Sequence, residues 1–229
     1  MNDPAPPNTT GILITLHSYS ELVLWPWGTT TAPAPNKVEL EAIGDKFATY
    51  NGYTSCQPSI CLYETSGTTD DWAYGVLGIP AFTFEVGNQF MPPYSEVDNI
   101  QWPDNGPALQ YAAKIARTPY LLHLGPDALS VTAADNGDGT FTVTATIDDT
   151  DNGGQTIQAA ELYVDRPYWR NGVPILMTAN DGAFNEQVEP VTAVVDGDGF
   201  YTGRHILYVH GRDSGNSLGP ASAVFIIAP

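Results

Sequence analysis

Tyr63-Glu64-Thr65-Ser66-Gly67-Thr68-Thr69-Asp70-Asp71-Trp72-Ala73-Tyr74-Gly75-Val76-Leu77-Gly78-Ile79-Pro80-Ala81-Phe82-Thr83-Phe84-Glu85-Val86-Gly87 is the stretch on which the reading of the first half turns. From Pro80 to Val86 small or polar residues alternate with bulky apolar ones, the period-two pattern of a β-strand. Ala81, Thr83 and Glu85 fall on one face, and Phe82, Phe84 and Val86 on the other. Glu85 therefore ends an otherwise uncharged strand, just before Gly87-Asn88. Burial raises the pKa of a carboxylate unless a cation or hydrogen bonds compensate, and such a group suits a general base. On this segment alone, a strand-end glutamate facing water is the plainer alternative. Ser66 to Gly78 predicts a turn and a short helix, capped at Thr68 or Thr69 and closed by Gly75 and Gly78.

Working outward, Gly11-Ile12-Leu13-Ile14-Thr15-Leu16-His17 is a continuous apolar run and predicts a buried, parallel strand. His17 sits at its carboxyl end, where ligand sites of open α/β sheets collect. A lone histidine there is more often a satisfied core residue than a ligand. Asn36 predicts an N-cap with Glu39 as its capping-box partner, opening a helix from Lys37 to Tyr50. Its inward face would carry Val38, Ala42, Ile43, Phe47 and Tyr50, and Asn51-Gly52 would stop it. Tyr53 to Tyr63 reads as a loop. It holds both cysteines, Cys56 and Cys61, too few for a closed zinc site of their own. A local disulfide is expected, with reduced thiols as the alternative. Asn88 to Pro103 reads as a second loop, after which Asp104 or Asn105 would cap a last helix ending at Arg117-Thr118-Pro119.

From about Leu124 the pattern changes to short alternating runs, Phe141–Ile147, Ala159–Val164, Ile206–Val209 and Ala223–Ile227. Asp- and Gly-rich clusters at 136–139, 151–154 and 196–199 separate them. The fold class expected is α/β over residues 1–120, then an all-β sandwich of about seven strands over 121–229. The acidic turns read as solvated Asp-Gly turns, with calcium binding as the alternative. His205 and His210 lie five apart, hence on opposite faces of one strand, and cannot share a metal.

The 229 residues carry 26 acidic and 8 basic side chains, net −18, which excludes nucleic acid and anionic membranes as partners. No apolar run approaches the ~20 residues of a membrane span. Met1-Asn2-Asp3-Pro4 lacks the basic region and apolar core of a signal peptide. A disulfide would agree with an oxidising compartment.

Two separated motifs carry a resemblance. Leu16-His17-Ser18-Tyr19-Ser20-Glu21-Leu22-Val23-Leu24-Trp25-Pro26-Trp27-Gly28 is similar to an active-site segment of the zinc carboxypeptidases (types A, B and T). Tyr63, Ser66-Gly67, Asp71-Trp72, Tyr74 and Phe82-Thr83-Phe84-Glu85 resemble a later one in the same order. Trp25 and Trp27 stand where that family has tyrosines. The resemblance implies a carboxypeptidase-like α/β domain that removes C-terminal amino acids from peptides by zinc-activated water. It implies that His17 is a zinc ligand and Glu85 the general base. Tyr63 would close over the substrate's C-terminal residue, Ser18 and Tyr19 would contact the residue before the scissile bond, and Asp70 would read the specificity pocket. Asp71 keeps a structural role at the helix start. The family's remaining ligands, a His-x-x-Glu pair, and its substrate-clamping arginines precede these motifs. This chain has no counterpart: before residue 118 it holds one histidine, His17, and no arginine ahead of Arg117. The expectation is therefore the C-terminal portion of a secreted zinc carboxypeptidase, inactive as an isolated chain. The second half resembles immunoglobulin-like modules of secreted bacterial hydrolases. A non-catalytic secreted binding or surface module is the competing class.

Overall fold

The computed structural model describes residues 3–197 and 200–228. Asp198 and Gly199 of the last acidic turn, and Met1 and Asn2 of the N-terminus, lie outside the described residues. The chain divides into two compact units, Met1–Tyr120 and Leu121–Pro229.

The first unit is mixed α/β. Its elements are β1 (Leu13–His17), β2 (Leu22–Leu24), α1 (Lys37–Asn51), β3 (Thr54–Cys56), α2 (Pro58–Cys61) and α3 (Thr69–Trp72). A π-helical turn (Ala73–Leu77) extends α3, and β4 (Ala81–Glu85), a second π-turn (Val97–Gln101) and α4 (Trp102–Ile115) follow. The sheet runs β1-β4-β2-β3. β1 and β4 are parallel, and β2 is antiparallel to β4. β2 and β3 escape a period-two reading because each has only three residues.

Phe47 of α1 is the hub of this unit's core. Its ring centroid lies 5.0 Å from Phe82 and 5.4 Å from Phe84 of β4, and 6.1 Å from Tyr111 of α4. The face of α1 differs from the expected one: Val38 is 75% exposed and Ala42 is exposed, while Leu40, Ile43, Gly44 and Phe47 are buried. Gly44 explains the rotation. A Cβ there would fall 2.6 Å from Ser55 Oγ and 3.0 Å from Trp25, so the sheet approaches on this side. The expected capping box is also absent. Asn36 gives α1 no side-chain cap, because its amide oxygen accepts from the Ala5 N–H at 2.6 Å and the Tyr74 hydroxyl at 3.0 Å. Gly52, at φ 73°, closes α1 as expected.

α4 starts earlier than the caps suggested, and Pro107 falls inside it. Asn105 does not cap. Its buried amide donates to the Tyr53 hydroxyl at 3.1 Å and the Gln101 carbonyl at 3.0 Å. β1 departs from the expected burial. It is the edge strand, its five residues are half-buried or exposed, and Leu16 is 58% exposed.

The second unit is all-β: β5 (Asp127–Asp135), β6 (Thr140–Asp148), β7 (Ile157–Val164), β8 (Ile175–Leu176), β9 (Thr178–Ala179), β10 (Val188–Asp196), β11 (Gly203–Asp213) and β12 (Ser222–Ala228). They form two antiparallel sheets, β5-β6-β10-β9 and β12-β11-β7-β8. Val143, Ile147 and Val191 of one sheet share a single buried core with Leu162, Leu207 and Val209 of the other. The acidic turn between β5 and β6 is satisfied locally: Asp135 accepts from the Gly137 N–H, and Asp138 from the Thr140 N–H and hydroxyl.

Asp149 is fully buried in this unit. One carboxylate oxygen accepts from the Gln155 N–H at 2.6 Å, while Oδ1 has no hydrogen-bond partner among the described residues. Burial, opposed by that bond, pushes its pKa up to about 6, with Asp213, Asp148 and Asp127 adding repulsion. The native state thus keeps a proton that the unfolded chain loses near pH 4, and stability falls as pH rises from about 4 to about 6. Asp149→Asn retains an acceptor for Gln155 without the charge. It should stabilise the second unit by about 1–3 kcal/mol at pH 7.5 and leave it unchanged at pH 4. Thermal melts of the full chain at both pH values check this, and an equal effect at both would remove the charge from the explanation.

Candidate active site

The site begins with the parallel register of β1 and β4, which sets His17 directly opposite Glu85. The Val86 N–H donates to the His17 carbonyl at 2.9 Å, closing the ladder just past the two side chains. His17 Nδ1 lies 3.6 Å from Glu85 Oε1. The two differ in solvation: the imidazole is 56% exposed and the carboxylate 13%. Burial raises the pKa of Glu85, and the neighbouring His17 opposes part of that rise. The result is a carboxylate of increased basicity beside an accessible imidazole.

The chain turns sharply behind this pair. Gly87 adopts φ 69°, its N–H donates to the Tyr53 hydroxyl at 3.0 Å, and its carbonyl accepts from the N–H groups of Ser20 and Glu21. Tyr53 is itself held by Asn105, whose amide oxygen accepts from Asn51 at 3.1 Å. A buried polar network spanning α1, β3's leading residue and α4 thus fixes the strand end carrying Glu85.

A cavity of about 350 Å³ opens beside the pair, lined by His17, Glu85, Asp70, Thr83, Tyr63 and Leu62 among others. Asp70 is 2% exposed. Thr83 donates to its Oδ2 at 3.3 Å, and the Asp71 N–H to its Oδ1 at 3.1 Å. Asp71 takes the opposite part: it accepts from the Gly28 and Thr29 N–H groups, and burial followed by the charge of Asp70 raises its pKa against those bonds. Thr68 caps α3, its hydroxyl accepting from the Asp71 N–H. Cys56 and Cys61 are joined in a disulfide, which closes the segment that supplies Pro58 to the cavity wall.

The cavity gathers His17, Tyr63, Asp70 and Glu85. Tyr63 is 65% exposed. Ser18 and Tyr19 stand apart from the cavity lining and face Phe90: Ser18 donates to its carbonyl at 3.3 Å, and the Tyr19 ring lies 6.5 Å from its ring. Thr83 was not singled out from sequence as a site residue. The signal was present, since the alternation of β4 puts it on the face of Glu85. Among the described residues no group of three His, Cys, Asp or Glu side chains is placed to hold a metal ion. The donors present are therefore insufficient for a catalytic zinc, which takes three protein ligands.

Residues 7–102 match the zinc carboxypeptidase family model. This segment is thus similar to the zinc carboxypeptidase family, and that family implies zinc as cofactor. A zinc carboxypeptidase of Saccharothrix mutabilis subsp. capreolus is 45% identical over 76 residues, 31% of this chain and 17% of that protein. Carboxypeptidase A1 of Mus musculus is 36% identical over 94 residues, 37% of this chain and 22% of that protein. The chain thus spans about a fifth of the length of these relatives. Among solved structures, bovine thrombin-activatable fibrinolysis inhibitor in complex with tick carboxypeptidase inhibitor aligns at 25% identity and TM-score 0.38. It covers 46% of this chain and 37% of that one.

Tyr53→Phe removes the hydroxyl that satisfies Gly87 and Asn105. It should destabilise the first unit by about 1–3 kcal/mol, the cost of leaving buried donors unpaired. Chemical denaturation followed by aromatic fluorescence reads this, and an unchanged midpoint would show that the turn behind Glu85 is held otherwise.

Proposed function

We propose that this chain carries the general base, one metal-donor histidine and the specificity pocket of a zinc metallocarboxypeptidase acting on peptide C-termini. The observation that carries the reading is the register of His17 against Glu85 at the mouth of a cavity containing Asp70. In this reading Glu85 takes the proton of the attacking water, for which a half-buried carboxylate of raised pKa, and hence increased basicity, is suited. His17 offers one imidazole to zinc, and the remaining ligands come from outside this chain's described residues. Tyr63 covers the bound C-terminal residue, and Ser18 and Tyr19 contact the residue before the scissile bond. The second unit is an immunoglobulin-like accessory module. We infer an extracellular setting from the disulfide.

In the full-length protein loaded with zinc, Glu85→Gln should abolish peptide hydrolysis while zinc stays bound, as read by turnover and metal analysis. Retained turnover would remove Glu85 from the mechanism. A zinc-loaded wild type without hydrolysis would favour a non-catalytic binding module.

The 229-residue chain alone should bind zinc no better than about micromolar, because a single imidazole ligand leaves three positions to water. Titration calorimetry at neutral pH reads this. A stoichiometric site of submicromolar affinity would show that other donors converge here.

Asp70 gives the pocket a preference for C-terminal Lys or Arg. Its buried carboxylate takes only a hydroxyl and one N–H, which leaves lone pairs for a cation. A charge-assisted contact of roughly 1.5–3 kcal/mol corresponds to about one to two orders of magnitude in selectivity. The ratio of kcat/KM for substrates ending in Arg and in Leu should therefore drop by about that factor in Asp70→Ala. A constant ratio would reduce Asp70 to a helix-start residue.

A further inference from the structure

The second unit has an open depression of its own, about 560 Å³, lined by Asp165, Arg166, Pro167, Trp169, Arg170 and Tyr208. Five of these residues lie on the connection from β7 to β8, and Tyr208 comes from β11. The connection is tightly built. The N–H groups of Arg170 and Gly172 both donate to the Pro167 carbonyl, and a Cβ on Gly172 would fall 1.6 Å from the Arg166 carbonyl oxygen. Aromatic packing holds it from behind: Tyr168 lies 5.1 Å from the buried His210 ring and 4.8 Å from Trp169, and Trp169 lies 5.9 Å from Tyr208. Two aromatic rings thus line a depression whose backbone is set before anything binds.

The charges are unusual for this chain. Of its 8 basic residues, two sit in this one depression although the net charge is −18. The other six are engaged. Lys37 pairs with Glu41, Lys46 lies over Tyr50 and Tyr111, Arg204 over Phe225, Arg212 bonds Asn216, and Lys114 and Arg117 have partners too. Among the described residues the guanidinium groups of Arg166 and Arg170 have neither ion pair nor hydrogen bond. The acid of the depression does not neutralise them. Asp165 Oδ2 faces His205 Nδ1 at 2.7 Å and its Oδ1 accepts from the Ile206 N–H at 2.9 Å. Both oxygens of Asp165 are thus already engaged, by His205 and by the Ile206 N–H, and the Tyr201 carbonyl followed by Asp165 raises the pKa of His205.

We infer that this depression binds a small ligand bearing one carboxylate beside a flat apolar face, the carboxylate on Arg166 and Arg170 and the face on Trp169 and Tyr208. Guanidinium forks match a carboxylate bidentately, and indole and phenol rings offer flat apolar surface. The chain's net charge of −18 disfavours polyanions, which restricts the ligand to a single negative charge. Two sources share this chemistry: the free C-terminus of a peptide ending in an aromatic residue, and a single uronic acid sugar.

The test uses the full 229-residue chain and the Trp169 indole N–H resonance, assigned with Trp169→Phe. The probes are N-acetyl-phenylalanine against its amide, and glucuronate against methyl glucoside. At least one carboxylate should shift the resonance with millimolar affinity while its neutral counterpart does not, and which one does so identifies the source. An Arg166→Gln, Arg170→Gln double variant should weaken binding by about tenfold or more with an unchanged melting temperature. The inference is overturned if neither carboxylate binds by about 20 mM, if neutral counterparts bind equally, or if the double variant keeps its affinity. Because the readout is Trp169, the outcome is independent of whether the first unit takes part in hydrolysis.

Discussion

The parallel pairing of β1 with β4 is the constraint from which the first unit's chemistry follows. Side chains of adjacent parallel strands at the same register point to the same side, so matching Thr15 to Thr83 also matches His17 to Glu85. The two threonines hydrogen-bond at 2.8 Å, and Thr83 bonds Asp70 in turn. A slip of one residue would turn Glu85 to the face that packs on Phe47 and scatter the cavity's polar groups together. Phe82 and Phe84 oppose such a slip, since both are fully buried against α1 and could not exchange places with Thr83 and Glu85 without exposing two aromatic rings.

Neighbouring carboxylates in this unit are set to different tasks by solvation and donors. Asp71 spends its oxygens on the Gly28 and Thr29 amides and so pins the segment after β2 to the start of α3. Asp70, one residue earlier, turns into the cavity. Glu85 has neither amide donors nor full exposure, and burial outweighs the imidazole beside it, so its pKa rises. Proximity in sequence thus says little about role; the donors each carboxylate meets decide it.

Much of this was legible in the chain because it rests on local rules. The alternation in residues 80–86, the stop at Gly52 and the cap at Thr68 are each set within a few residues, and each appears in the structure. The failures occur where a distant partner competes for a side chain. Asn36 has the chemistry of an N-cap, yet Ala5 and Tyr74 engage its amide instead. Asn105 has the same chemistry, and Tyr53, 52 positions away, takes it. The inward face of α1 departs from the periodic reading because Gly44, which adds nothing to an apolar pattern, marks the closest approach of the sheet. Of the site, His17 and Glu85 were each legible as strand-end residues, and the family resemblance gave them a common role. That Ser18 and Tyr19 lie toward Phe90, apart from the cavity lining, depends on the 88–94 loop, which carries no periodic signal.

The apolar edge of β1 runs directly into the candidate site at His17. Leu13-Ile14-Thr15-Leu16 has the composition of a strand covered on both sides, yet it stands at the sheet edge with Leu16 open to solvent. An edge strand of this kind is a template for further pairing unless charge or a bulge protects it, and β1 carries neither until His17. A strand of any origin laid along β1 would cover that edge without disturbing the pairing on its other side, which sets His17 against Glu85.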